Sequence, residues 1–156
     1  MRHVNIYTEV ESKGMRQQDM WMCWLIEVVT RTGKKTCQGM RKIKDATHSG
    51  AQLAALNEAL SHMVEKCDID IYLTDVFVET AFKQNWIEKW KKNNWISARG
   101  TEIKHTAEWE QLKELLPGHD VRMHFTCMHE YSNWMQTQIR MEIKKEEEKC
   151  IKNLTQ

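Results

Sequence analysis

Residues 50–75, GAQLAALNEALSHMVEKCDIDIYLTD, decide the fold, because the spacing of their apolar residues changes partway along. Leu53, Leu56, Leu60, then Met63 or Val64 and Cys67 recur every three or four residues among good helix formers, which is the repeat of one helix face. Ser49 is placed to cap its first turn. After an acidic turn, Ile69 to Asp75 form a short apolar run that suits a buried strand. A helix leading directly into a buried strand is the second half of a crossover unit, so another strand is expected upstream in the same sheet.

Residues 3–9, HVNIYTE, supply it: Val4, Ile6 and Thr8 alternate with Asn5, Tyr7 and Glu9, the two-residue period of a strand. Past a polar loop containing Gly14, MWMCWLIEVVT (Met20 to Thr30) and TCQGMR flank the turn RTGKK at Gly33 and read as a hairpin. Downstream, residues 76–95 suit one or two short helices, and Thr106 to Leu116 suit another that Pro117 and Gly118 stop. VRMHFT, Val121 to Thr126, is a fifth strand, and Ser132 opens a helix running into the charged MEIKKEEEKC segment. Strands mixed with helices in this order make a layered α/β fold rather than a bundle or a barrel.

Composition narrows the function classes. A chain of 156 residues fits one domain with a real core. Its 23 Lys and Arg against 22 Asp and Glu exclude a global electrostatic case for nucleic acid or membrane, so any such case rests on local patches. No apolar run approaches the roughly 20 residues of a membrane-spanning helix. Cys23, Cys37, Cys67, Cys127 and Cys150 are odd in number and widely spaced, which fits reduced thiols and an expected cytoplasmic location.

Residues 86–95, WIEKWKKNNW, together with YTE closing the first strand, LTD closing the fourth, Trp109 in AEWEQLKELL and His129 after the fifth strand, resemble the ribonuclease H family of the bacterial type with a basic handle. The similarity spans about residues 3–140. It implies a ribonuclease H-like five-stranded mixed sheet flanked by helices. Residues 1–140 are then the ribonuclease H-like domain, and 141–156 a charged helical extension of it. The family's chemistry uses four carboxylates around two Mg²⁺ ions that activate water and stabilise the leaving oxygen of a phosphodiester.

Carried over residue by residue, the resemblance places Glu9, Gln52 and Asp75 at three of the four carboxylate positions and His129 at the flexible-loop histidine. Glu9 stands for the family's aspartate, Gln52 for its glutamate, and Asp75 is intact. The fourth position falls near Thr137 or Gln138 in SNWMQTQIR, a stretch that contains no acid. Glu9 and Asp75 are thus the residues left for Mg²⁺ or Mn²⁺, and no other cofactor is implied. The glycine-rich loop after the first strand is replaced by VESKGMRQQD, and the paired asparagines before the first helix by His48 and Ser49.

Other residues have plainer readings. Trp86, Trp90, Trp95 and Trp109 are better explained as packing between the handle and the preceding helix than as a base-stacking platform. Lys83, Lys89, Lys91, Lys92, Arg99 and Lys104 against Glu88 and Glu102 leave a local excess of positive charge, suited to phosphates or to a solvated face. His119, His124, Cys127 and His129 follow no zinc spacing. Ile139, Ile143, Cys150 and Ile151 could form an apolar seam on the last helix.

Three functions remain open. The first is a nucleic-acid-binding protein, contacting an RNA–DNA hybrid or another duplex through Lys89, Lys91, Lys92, Arg99 and Lys104, with hydrolysis lost or severely weakened. The second is a divergent Mg²⁺-dependent ribonuclease H using Glu9, Asp75 and a substitute acid such as Glu11 or Glu130. The third is a protein-interaction scaffold.

Overall fold

The computed structural model describes residues 1–11 and 16–156. Positions 12–15, including Gly14 of the altered loop after the first strand, lie outside the described residues. Five strands form one sheet in the order β3-β2-β1-β4-β5. They are β1 (Arg2–Val10), β2 (Gln18–Thr30), β3 (Gly33–Ala46), β4 (Cys67–Leu73) and β5 (Asp120–Phe125). The hairpin partners β1/β2 and β2/β3 are antiparallel, whereas β4 and β5 join in parallel beyond β1. The mixed sheet expected from the sequence is therefore the one formed, with Ile6 opposite Ile71 in the β1/β4 register.

Helix α1 (His48–Ser61) is buried on more than one side, through Leu53, Leu56 and Leu60 but also Ala51, Ala55 and Ala59. Small residues let it sit between the sheet and α4 (Thr106–Leu115), which presents buried Trp109 and Leu112. The helix stops at Ser61, so the apolar repeat does not extend to its expected end. Val64 is 97% exposed, and Cys67 belongs to β4. The cap is Thr47, whose hydroxyl accepts from the Gly50 N–H, and not Ser49, which lies inside the first turn.

Helices α2 (Val76–Lys83) and α3 (Trp86–Lys92) follow β4, and α5 (Ser132–Thr155) covers the other sheet face. There Met135 and Ile139 pack with Tyr7, Cys23 and Leu25. Alternation along β1 thus feeds two cores, with Val4 and Ile6 on the α1 side and Tyr7 on the α5 side. The seam expected on the last helix is divided: Ile139 and Ile143 pack on the sheet, while Cys150 and Ile151 are exposed. No helix among the described residues is long and apolar enough to cross a membrane.

Candidate functional site

The carboxyl ends of β1 and β4 are adjacent in a parallel pair, the place where open α/β sheets assemble sites. Glu9 is near the end of β1, and Asp75 lies two residues beyond β4 as the N-cap of α2. Gln52 projects from α1 between them and is fully buried. Its Oε1 accepts from the Thr8 hydroxyl at 2.5 Å, and its Nε2 donates to the Thr74 hydroxyl at 2.5 Å. The amide therefore ties β1 to the end of β4 with its carbonyl oxygen already engaged.

Asp75 is held from three sides. Its Oδ1 accepts from the Val78 N–H at 2.9 Å, while Oδ2 accepts from His48 Nδ1 at 2.7 Å and from the Ser49 hydroxyl at 2.9 Å. Burial pushes the carboxyl's pKa up, but the hydrogen bonds from His48, Val78 and Ser49 outweigh it and leave the pKa below the usual carboxylate value. His48 and Ser49 are thus partners of Asp75.

Glu9 is met from the opposite face. Its Oε1 accepts from Gln136 Nε2 at 2.9 Å, and Oε2 lies 3.2 Å from His129 Nε2 and 3.5 Å from the Ser132 hydroxyl. The Tyr131 N–H donates to His129 Nδ1, so the ring proton sits on Nε2, which also donates to the Thr8 carbonyl oxygen. His129 has a side chain only 3% exposed and packs against the Tyr7 ring at 4.9 Å, the opposite of a freely swinging loop histidine.

The α5 side chain that reaches Glu9 is Gln136, beside the Thr137 and Gln138 named from the sequence. Thr137 is exposed and donates to the Asn133 carbonyl oxygen. Because α5 starts at Ser132, its inward face runs through Ser132, Met135, Gln136 and Ile139, the i, i+3, i+4, i+7 repeat. A polar Gln136 within that stripe was the signal in the sequence. The two substitute acids are engaged elsewhere: Glu11 accepts from the Trp21 N–H at 3.0 Å, and Glu130 faces Lys34 at 3.5 Å.

Two carboxylates already engaged by protein donors and two neutral amides do not fit a pair of Mg²⁺ ions, each of which is held through one or two carboxylates together with water and substrate phosphate. Among the described residues no three His, Cys, Asp or Glu side chains converge to hold a metal ion. His119, His124 and His129 are dispersed, onto the Cys67 N–H, Asp70 and Glu9 respectively.

Beyond Asp75, Phe77 opens into a concavity of about 690 Å³ lined by Trp86, Trp90, Ile96, Lys89 and Arg99. Phe77 stacks on Trp90 at 6.2 Å, and Trp90 meets buried Trp109 edge-on at 5.3 Å, so the indoles are packing elements as well as walls. The five basic residues expected to contact phosphates are all exposed but are not all gathered at the concavity. Lys89 and Arg99 line the concavity, whereas Lys91 and Lys92 lie close enough to Glu88 to help lower its pKa, after the dominant hydrogen bond from Lys113. Lys104 is outside the concavity.

A separate polar ladder crosses the sheet at Asp70, where Arg122 Nε donates to Oδ1 at 2.9 Å and His124 Nε2 lies 2.8 Å from the same oxygen. The Arg122 bond, opposed by burial and aided by His124, holds the Asp70 pKa down at about 2. A depressed carboxyl stabilises the fold above its unfolded pKa of about 3.9 and loses that contribution as pH falls through the folded value. Asp70→Asn should therefore lower the thermal midpoint at pH 7, with the gap from the parent closing between pH ~4 and ~2. A gap independent of pH would remove this ion pair from the account.

The RNase H family model matches residues 1–133. Among curated proteins the chain is 34% identical to ribonuclease H of Clostridium botulinum over 122 residues, covering 78% of this chain and 80% of that protein. It is 32% identical to ribonuclease H of Acetivibrio thermocellus over 152 residues, covering 96% of this chain and all of that protein. Among solved structures, LC9-RNase H1, described as a type 1 RNase H with the type 2 active-site motif, superposes with a TM-score of 0.74 at 14% identity, covering 90% of this chain and 72% of that one. LC11-RNase H1 in complex with an RNA/DNA hybrid gives 0.60 at 12% identity, covering 90% and 99%.

Proposed function

Because this chain belongs to the ribonuclease H family, we propose that it binds an RNA–DNA hybrid or a related duplex through phosphate contacts, with metal-dependent hydrolysis lost or severely weakened. The observation that carries this reading is the pairing of two neighbouring features. One is a handle concavity with Lys89 and Arg99 on its walls; the other is a carboxylate site in which Glu9 and Asp75 already meet protein donors on every oxygen. Duplex binding needs fixed positive charge near phosphates, which the first supplies. Hydrolysis needs metal ions held by free carboxylate oxygens, which the second does not offer.

The binding half is tested by salt dependence. Each phosphate neutralised releases condensed counterions, so replacing Lys89 and Arg99 together with Gln should flatten the log-log slope of hybrid affinity against salt by about 2. Fluorescence anisotropy of a labelled hybrid measures it. An unchanged slope in the double variant, or no binding by the parent at low salt, would count against the handle as a binding surface. The second reading, a metal-dependent endoribonuclease of the ribonuclease H type, is favoured by the names of the curated relatives.

A further inference from the structure

We infer that His48, Ser49, His129 and Gln136 are built-in replacements for the metal ions, so that the site is a permanent hydrogen-bonded fastening that excludes divalent cations. The inference deepens the reading of weakened hydrolysis, and it is tested by metal binding rather than by cleavage. In a two-ion site the carboxylates of neighbouring strands and helices repel one another until the cations join them. Here the joining is done by protein donors. Asp75 brings together the start of α1, through His48 and Ser49, and the first turn of α2, through Val78. Glu9 brings together the segment before α5, through His129, and α5 itself, through Ser132 and Gln136. Gln52, spanning Thr8 and Thr74, closes the space between the two groups without adding charge.

The surroundings of each histidine fix which ring nitrogen meets its carboxylate. His48 Nδ1 faces Asp75 Oδ2, and His129 accepts from the Tyr131 N–H, leaving its Nε2 proton toward Glu9 and the Thr8 carbonyl. An entering Mg²⁺ or Mn²⁺ would have to displace imidazole, hydroxyl and amide donors from both carboxylates while gaining only two negative charges. His48 is the weakest part of the closure, because its side chain is 41% exposed and can be removed without opening the core.

The test uses the full chain in EDTA, Mg²⁺ and Mn²⁺. In the parent, melting curves should superimpose under all three conditions, and Mn²⁺ should not broaden the backbone amide signals of His48, Ser49 and Gln136 by paramagnetic relaxation. Gln52→Glu alone should leave the melting temperature insensitive to Mn²⁺. Gln52→Glu with His48→Ala should raise it by roughly 5 °C or more once Mn²⁺ reaches about 100 times its Kd. Broadening of those amide signals in the parent overturns the inference and needs no variant to fold. So does a Mn²⁺ shift in Gln52→Glu equal to that of the double variant. Metal binding without cleavage would refute the inference alone, and cleavage without metal binding by the free chain would refute the proposed function alone.

Discussion

Trp109→Ala should destabilise the fold by about 3–5 kcal/mol, a large fraction of the ~5–15 kcal/mol by which such domains are stable. Trp109 is 1% exposed, meets Trp90 at 5.3 Å and Phe77 at 6.3 Å, and fills the space where α4 packs on the main core. Its removal leaves a cavity that neither the sheet nor α1 can collapse into, because both are fixed by their own packing. The wall of the handle concavity should loosen with it, since Trp90 and Phe77 lose the surface they rest on. Guanidinium unfolding checks this: the midpoint should fall sharply in Trp109→Ala. Trp134→Ala, which removes a side chain 42% exposed, should stay within about 1 kcal/mol of the parent.

The fold was legible wherever one face of an element carries the core. Alternation along β1 and the apolar run of β4 show in the sequence because sheet geometry fixes their periods. Boundaries were less legible. The strand β3 runs from Gly33 to Ala46, well beyond TCQGMR, since an edge strand with an exposed, lysine-rich surface carries no apolar alternation by which to recognise it. The apparent continuation of the α1 stripe through Val64 and Cys67 arose from residues that lie after the helix but happen to keep its spacing.

At the site, Glu9, Gln52 and Asp75 were named because the family resemblance fixes their register, Glu9 and Asp75 at the ends of strands and Gln52 within the first helix. Gln136 was not, because its assignment depends on where α5 begins, and a shift of one residue turns the side chain by about 100°. His48 and Ser49 were visible only as missing asparagines. Their role as partners of Asp75 is a tertiary contact across 27 and 26 residues, which local spacing does not encode. The handle lysines were legible as a charge excess but not as a surface, since Lys89 and Lys92 share a face of α3 from which Lys91 is turned away.

Loss of hydrolysis is the other large effect expected. A metal ion at a phosphodiester supplies several kcal/mol of transition-state charge stabilisation, and ~4 kcal/mol corresponds to roughly a 10³-fold change in rate. With Gln52 and Gln136 neutral and both carboxylates held by protein donors, cleavage should fall by at least that factor below that of a site with four carboxylates. The most direct measurement is a single-turnover assay with end-labelled RNA in an RNA–DNA hybrid, chain in excess, in Mg²⁺ and separately in Mn²⁺, with Asp75→Asn alongside. Over the time in which a site with four carboxylates would cleave the hybrid completely, the RNA should stay full-length in both metals, with parent and variant indistinguishable. Fragments that appear with the parent in metal and vanish in Asp75→Asn would contradict it.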